Sequence, residues 1–149
     1  MGTGVIPMAV INAPESHVKL LARLMRAEAE GEGPLGMLMV GNVGVNRVLG
    51  DCLDFRGIRN IWQMVFQTPG GFEAVQKSYF YQRAREKDIR LARKAVRGER
   101  YSPARYGLWF FRPVGPCPAR WFGQPHSGRY KSHCFYIPSP ADCPRVYKF

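Results

Sequence analysis

Apolar residues recur at spacings of three and four along the first two-thirds of the chain, which is the period of one helix face. The first such run follows the turn-prone residues 14–16 and is rich in strong helix formers until glycines and a proline interrupt it at 31–34. The pattern predicts a helix that ends near Glu30, with Ser16 as a candidate N-cap. A second apolar run over 35–48 predicts a buried helix, whose glycines would let another element approach closely.

Three further segments complete the helical part. Residues 51–59 have the composition of a loop, and the apolar cluster over 61–66 predicts a short third helix before a Thr-Pro-Gly-Gly break. A long helical region is predicted over 72–97, with an interruption or kink near 79–82. Its second half is amphipathic and strongly basic. A solvated helix face is the ordinary interpretation of such a run, and a polyanion contact is the alternative.

Helical periodicity is lost after Gly98, where prolines and aromatic residues dominate. The runs 108–111 and 134–137 predict short strands, with Trp121 and Phe122 between them. No internal repeat or linker is visible. The fold class is therefore predicted to be α+β, a single domain that is helical over its first two-thirds and carries a small antiparallel sheet at its C-terminal end.

The composition is that of a folded protein. The chain has 149 residues, 46% hydrophobic and 22% charged, so one domain is expected and intrinsic disorder is not. Its longest stretches without a charged residue have 14 residues, short of the ~20 apolar residues of a membrane span, so no transmembrane helix is expected. The first of them, residues 1–14, contains no lysine or arginine, and we therefore expect no secretory signal peptide.

Basic side chains outnumber acidic ones by 22 to 11, and the net charge of +11 favours polyanionic partners. Nucleic acid, an anionic wall polymer and an acidic protein all fit that charge. Because no motif that reads nucleic acid accompanies it, nucleic acid is not the expected partner, and a polyanion-binding module is kept as a competing class.

The four cysteines, Cys52, Cys117, Cys134 and Cys143, include no Cys-x-x-Cys pair. This spacing argues against a zinc site, and no metal ligand is predicted. The cysteines are either small buried hydrophobic residues or disulfide partners, inside the C-terminal segment or with another protein. Disulfide formation would require an oxidising compartment.

One acidic residue lies on the apolar stripe of the first helix. Glu28 continues the stripe of Leu21 and Leu24, whereas Glu30 is rotated from it by roughly 200° on the helical wheel. Burial raises the pKa of a carboxyl group, which is the state that a general acid needs near neutral pH. Glu32 would add a carboxylate beside Glu28 if the helix continued that far. The alternative is that Glu28 pairs with an arginine and only closes the helix end.

Several motifs, including Ala-Glu-Ala-Glu-Gly-Glu, occur together along most of the chain. They lie at 22–33, 41–47, 64–67, 72–75 and 131–136. Together they resemble the spore cell wall hydrolase family, the group of SleB-like and CwlJ-like cortex-lytic enzymes. Further stretches are similar to the CwlJ-like branch in particular, at 79–85, 108–113 and 132–136. The expected lack of an export signal and of a peptidoglycan-binding repeat also agrees with that branch.

This resemblance implies an enzyme that degrades spore cortex peptidoglycan during germination, with selectivity for glycan that contains muramic δ-lactam. It implies a lysozyme-like or lytic-transglycosylase-like fold, with residues 15–149 as the catalytic domain after an N-terminal extension over 1–14. It also implies a place in the spore coat or outer layers beside a GerQ-like coat protein, after synthesis in the mother cell without a signal peptide. CwlJ-like enzymes are associated with activation by calcium dipicolinate. The sequence has no recognisable calcium loop, and the chemistry itself requires no cofactor.

The family's catalytic glutamate corresponds to Glu28. In a lytic transglycosylase, Glu28 would protonate the oxygen of the MurNAc–GlcNAc bond and then accept the proton of the C6 hydroxyl of muramic acid. A glycoside hydrolase would need a second carboxylate, ~5 to 5.5 Å away for retention or ~6.5 to 9.5 Å for inversion, with Glu32 and Glu73 as candidates. We expect the transglycosylase. The hydrolase is its alternative, and a catalytically silent coat module is a competing class.

The remaining candidates are substrate contacts, among them Glu32 and Glu73. Flat rings suit a sugar cleft, although aromatic residues more often pack the core. The candidate rings are Phe72, Trp109, Phe111, Trp121 and Tyr136. His133 would donate a hydrogen bond to the substrate, or lie satisfied within a strand. Gln67 and Asn46 would bind N-acetyl groups, the alternative for Asn46 being a packing role in mid-helix.

Overall fold

The structure, a computed structural model, describes residues 8–69 and 71–148. Over this part of the chain, four α-helices precede a four-stranded sheet. The helices are α1 (Glu15–Ala29), α2 (Gly33–Gly50), α3 (Ile61–Val65) and α4 (Glu86–Val96). The strands are β1 (Trp109–Phe111), β2 (Arg120–Trp121), β3 (Gln124–Tyr130) and β4 (His133–Tyr136). None of these helices is both long and apolar enough to cross a membrane.

Helix α2 is the centre of the molecule, and the predicted buried helix is confirmed. Every residue from Gly36 to Gly50 is buried, because α1, α3 and α4 all pack against this helix. Two glycines allow the close packing. A Cβ at Gly41 would come within 3.0 Å of Ala95 on α4, and one at Gly44 within 2.8 Å of Met64 on α3. Side chains at these positions would force the neighbouring helices apart.

The first helix ends where its glycines predicted. After Ala29 the chain forms a single 3-10 turn over Glu30–Glu32, and Gly33 then takes a φ of +81°, which favours glycine. The predicted cap at Ser16 is wrong. The helix begins at Glu15, its N-cap is Pro14, two residues before Ser16, and the N-cap makes no side-chain hydrogen bond.

The helical region predicted over 72–97 is wrong in its first half, whereas the interruption predicted near 79–82 is confirmed. Only α4 is α-helical there, and it follows two short 3-10 turns, Glu73–Gln76 and Ser78–Tyr81. The buried Arg26 side chain donates hydrogen bonds to the carbonyl oxygens of Arg83 at 2.6 Å and Gln82 at 2.7 Å. Arg23 donates to the carbonyl oxygen of Phe80 at 2.9 Å. These contacts from α1 hold carbonyl groups that a continuous helix would use internally.

The sheet has the strand order β1-β4-β3-β2, and all its pairs are antiparallel. The predicted strands at 108–111 and 134–137 correspond to β1 and β4. Strand β3 was missed because its sequence, Gln-Pro-His-Ser-Gly-Arg-Tyr, is poor in strand-forming residues. Phe135 of β4 packs against Met39 and Val43 of α2, so the sheet rests on the central helix.

Two disulfide bonds join the C-terminal third. Cys52 pairs with Cys143, which ties the residues after α2 to the C-terminal segment, and Cys117 pairs with Cys134 of β4. The Cys117–Cys134 bond confirms the predicted alternative of a disulfide inside the C-terminal segment, whereas the Cys52–Cys143 bond was not predicted.

The predicted extension over 1–14 lies partly outside the described residues. In its described part, the Val10 N–H donates to the Val96 carbonyl oxygen at 2.9 Å, and the Ile11 side chain is buried against the core.

Candidate active site

A cavity of about 600 Å³ opens where the last turn of α1, the segment 71–77 and the end of β1 meet. Its size lies within the range of small-ligand sites. The residues that line it are Ala27, Glu28, Arg47, Gly71, Phe72, Glu73, Ala74, Lys77, Phe110, Phe111, Arg112 and Trp121. Its wall therefore combines two carboxyl groups, three cationic side chains and four aromatic rings.

Glu28 lies half-buried in this wall. Its Oε2 accepts a hydrogen bond from the Ala74 N–H at 3.3 Å. Burial raises the pKa of Glu28, and the nearby Glu73 carboxylate adds to that effect, while the Ala74 amide, Arg47 and Lys77 oppose it. The raised pKa keeps a larger fraction of the carboxyl protonated near neutral pH than that of an exposed glutamate.

The alternative that Glu28 closes the helix end as an ion pair is not what the structure contains. Among residues 8–69 and 71–148, no lysine or arginine nitrogen lies within 4.0 Å of its carboxylate. Glu30, two positions on, is exposed and bonds to Arg85 at 2.9 Å and to the Tyr79 hydroxyl. The hydrogen bond from Tyr79 lowers the pKa of Glu30. The two carboxyl groups face opposite ways, as the helical wheel predicted.

Glu32 lies apart from the cavity because α1 does not continue to it. The 3-10 turn carries its buried carboxylate to the β3–β4 hairpin, where Oε1 accepts from the Ser132 N–H at 2.9 Å and lies 3.2 Å from His133 Nδ1. A Cβ at Gly36 would overlap Glu32 Cβ at 2.3 Å, so the glycine leaves room for this side chain. His133 is itself buried, edge-on to the cavity residue Phe110. Neither Glu32 nor His133 lines the cavity.

The Glu32–His133 pair makes the fold sensitive to acid. Burial lowers the pKa of His133 below its ordinary value of 6.5, against the opposing charge of Glu32. Burial alone would raise the pKa of Glu32, but the hydrogen bonds from Ser132 and the charge of His133 outweigh it and lower the value. A lowered pKa in the folded state means that the unfolded chain binds protons more readily. The stability that His133 contributes is therefore present above pH 6.5 and is lost as the pH falls below it, whereas the stability that Glu32 contributes is lost only below its ordinary pKa of 4.5.

We expect this loss to depend on His133. The His133→Asn variant keeps an N–H donor near Glu32 but does not titrate. Between about pH 7.5 and about pH 5.5, the midpoint temperature of thermal unfolding should fall further in the wild-type protein than in this variant. Thermal unfolding followed by circular dichroism at the two pH values measures the difference. Equal pH dependence in both proteins would contradict the role assigned to His133.

Arg47 is a cavity residue to which motif matching assigned no role. Its Nε donates to the Leu108 carbonyl oxygen at 2.8 Å, and its guanidinium lies between the rings of Phe55 and Phe72, 4.4 and 4.5 Å from their centroids. Burial lowers its pKa to about 9, so the side chain stays charged at neutral pH. This arginine fixes the position of Phe72 and places a positive charge beside Glu28. Lys77 and Arg112 also lacked a sequence signal, since charged residues are frequent in this chain.

The structure brings three of the predicted rings to the cavity. Phe111 and Trp121 stack with their centroids 3.9 Å apart, and Phe72 stacks on Phe110 at 6.0 Å. Flat faces of this kind suit pyranose rings. The predicted residue Glu73 lies on the same wall.

The other predicted contacts do not line the cavity, although the ring of Tyr136 stacks on the cavity residue Phe111 with centroids 5.9 Å apart. Tyr136 is fully buried and donates to the Pro118 carbonyl oxygen at 2.7 Å, while Trp109 packs against Phe55. Gln67 donates to the Asp54 carbonyl oxygen at 2.7 Å. Asn46 is fully buried and bonds to the loop before β1, which is the packing role left open for it.

A half-buried carboxyl group on the wall of a ring-lined cavity is an arrangement that suits enzymes that cleave glycans by acid catalysis. The chain belongs to the cell wall hydrolase family, whose sequence profile matches residues 31–136. It is thus a peptidoglycan-degrading enzyme.

Three relatives that the chain covers almost completely support this family assignment. The chain is 64% identical over 141 residues to the cell wall hydrolase CwlJ of Oceanobacillus iheyensis, covering 95% of this chain and 100% of the relative. It is 66% identical over 140 residues to CwlJ of Halalkalibacterium halodurans, covering 94% and 98%. The match to CwlJ of Bacillus subtilis is 56% identical over 140 residues, covering 94% and 98%.

Two solved structures share the fold. The catalytic domain of the Bacillus cereus SleB protein matches with a TM-score of 0.67 at 21% identity, covering 91% of this chain and 98% of that one. The catalytic domain of the germination-specific lytic transglycosylase SleB from Bacillus anthracis matches with a TM-score of 0.65 at 20% identity, covering 91% and 99%. The predicted lysozyme-like α+β fold is confirmed.

Proposed function

We propose that this chain cleaves the MurNAc–GlcNAc bonds of spore cortex peptidoglycan during germination, as a lytic transglycosylase with Glu28 as its acid and base. The observation that carries this proposal is the half-buried Glu28, with its raised pKa, on the wall of the ring-lined cavity. The similarity to a germination-specific lytic transglycosylase supports the reaction type at the level of the fold.

The reaction needs one proton donor that later becomes an acceptor. Protonated Glu28 gives its proton to the glycosidic oxygen as the bond from C1 of muramic acid to that oxygen breaks. The resulting carboxylate then removes the proton of the C6 hydroxyl as O6 bonds to C1. At the end of the reaction Glu28 is protonated again, the muramic acid carries a 1,6-anhydro ring, and no water has been consumed. A pKa raised by burial but moderated by Arg47 and Lys77 suits a group that acts in both directions.

A glycoside hydrolase is the second candidate, because Glu73 also lines the cavity and its charge acts on Glu28. In that mechanism Glu73 would be the second carboxylate, acting on water or on the sugar. The other sequence candidate, Glu32, is held by Ser132 and His133 outside the cavity.

The reaction products distinguish the two mechanisms. Digestion of purified cortex peptidoglycan in ¹⁸O-labelled water, followed by mass spectrometry, should yield fragments with anhydromuramic ends, lighter by one water and free of label. We expect these ends in the great majority of the cleaved fragments. Labelled reducing ends would show hydrolysis instead, and Glu73→Gln should then abolish the activity.

We also propose that the substrate glycan contains muramic δ-lactam and that the enzyme works in the outer spore layers beside a GerQ-like coat protein. The chemistry needs no cofactor, and calcium dipicolinate would act as an activator. These proposals depend on the family resemblance. Digestion of cortex glycan with and without δ-lactam tests the first, and coat extraction from spores that lack the coat protein tests the second.

A further inference from the structure

The cavity carries more positive charge than a neutral sugar chain needs. Three cationic residues, Arg47, Lys77 and Arg112, line it with only two acids. When Glu28 is protonated, Glu73 is the single anion among them. Aromatic faces and neutral hydrogen bonds are able to hold sugar rings without cations.

Two of these cations are available for a ligand. Lys77 and Arg112 are exposed, and in the described part of the chain no carboxylate oxygen lies within 4.0 Å of their nitrogens. Arg47, by contrast, is buried and held by Leu108, Phe55 and Phe72.

The position of Lys77 beside Glu28 argues against the view that this lysine is only a solvent-exposed surface charge. A cation near a general acid stabilises the carboxylate and so opposes its protonation. Lys77 has this effect on Glu28. An anionic group of the substrate would pair with Lys77 on binding and remove that opposition.

We propose that Lys77 and Arg112 form a subsite for a carboxylate carried by a muramic acid unit of the glycan. This inference depends on the proposed function. Muramic acid differs from GlcNAc by its lactyl substituent at O3, which carries either a free carboxylate or a stem peptide with carboxylates. Arginine offers a planar fork to a carboxylate, and lysine a compact point charge.

The subsite would set the register of the glycan. GlcNAc and muramic acid alternate, and a cleft that recognised only sugar rings would accept the chain in two registers one unit apart. A carboxylate held beside the Phe111–Trp121 stack permits only the register that places muramic acid at this position. Muramic δ-lactam has its lactyl carboxyl in the ring amide and is neutral, so it would occupy a neighbouring position.

The test measures binding of glycan fragments in the Glu28→Gln background, so that no substrate is consumed. One fragment carries free carboxylates, and its partner has the same carboxylates converted to neutral amides. We expect calorimetry to give about 10-fold tighter binding of the charged fragment. Lys77→Met or Arg112→Gln should each remove most of this difference without weakening binding of the amidated fragment.

The matched control is Lys94→Met, which removes the same charge from an exposed lysine in a separate groove of about 470 Å³. It should leave both affinities unchanged. Equal affinity for the two fragments would overturn the proposal. An equal loss in Lys94→Met would also overturn it, because it would show unspecific attraction to a chain of net charge +11.

Binding of glycan fragments without stem peptides shows whether the bound carboxylate belongs to the lactyl group or to the stem peptide. If these fragments keep their affinity, the subsite binds the lactyl carboxylate. If they lose it, the subsite binds a carboxylate of the stem peptide. Turnover by the otherwise wild-type chain is measured separately, as KM and kcat at the pH plateau. Absence of turnover on every fragment would refute the proposed function, whereas the dissociation constants would still decide the subsite. With turnover present, Lys77→Met and Arg112→Gln should raise KM for the charged fragment about 10-fold and leave KM for the amidated fragment unchanged.

Discussion

Glu28→Gln should lower the rate of glycan cleavage by about 10³- to 10⁴-fold, since general acid–base catalysis typically contributes ~10² to 10⁴ and one group serves both steps. Glutamine keeps the size of the side chain but cannot give a proton to the glycosidic oxygen. Its amide oxygen can still accept the hydrogen bond from Ala74, so the variant should fold normally. Release of soluble fragments from cortex peptidoglycan measures the rate, and thermal unfolding checks the fold.

The matched control is Glu30→Gln. Glu30 belongs to the same acidic motif but is exposed and bonded to Arg85 and Tyr79, outside the cavity lining. Cleavage should stay within about twofold of wild type, because surface substitutions of this kind cost little. Undiminished turnover in Glu28→Gln would end the assignment of the acid. In spores, loss of both cortex lysis and coat deposition in that variant would favour the silent coat module.

Asn46→Ala should destabilise the fold by about 3 kcal/mol. Asn46 Nδ2 donates to the carbonyl oxygens of Gly107 at 2.9 Å and Arg105 at 3.1 Å, and Oδ1 accepts from Arg100 at 3.0 Å. The side chain is fully buried in α2. Alanine would leave polar groups without partners, and each buried group left so costs ~1 to 3 kcal/mol. The loss should lower the midpoint of thermal unfolding by roughly 6 to 12 °C.

Urea unfolding of Asn46→Ala and of Asn12→Ala provides the comparison. Asn12 is exposed, so its truncation should shift the urea midpoint little. An Asn46→Ala protein with wild-type stability and a raised KM would instead favour the contact with an N-acetyl group. Because the loop held by Asn46 leads into β1, we also expect reduced activity near the unfolding midpoint.

The first helix shows what a single sequence can predict. The three-and-four spacing of its apolar residues depends on local geometry alone, and it placed Glu28 inward and Glu30 outward before any tertiary contact was known. Its end at Ala29 was predictable for the same reason, since glycines and a proline act on the backbone beside them.

The cavity was predictable only in part. Phe72, Phe111 and Trp121 were candidates because aromatic rings suit sugars, but the same argument favoured Trp109 and Tyr136, which do not line the cavity. No local pattern separates a ring in a cleft from a ring in a core. The burial of each ring depends on which distant segment packs against it.

The sequence by itself therefore determined the helical frame, the α+β order and the direction of Glu28, because these follow from contacts within a few residues along the chain. The tertiary structure alone decided the 3-10 turns in the first half of the helical region predicted over 72–97, the pairing of Glu32 with His133, and the meeting of Arg47, Lys77 and Arg112 around one cavity. In each case the partners lie on different elements, many positions apart in the chain. Such contacts form only when the whole core is assembled, and their energies then override local preference.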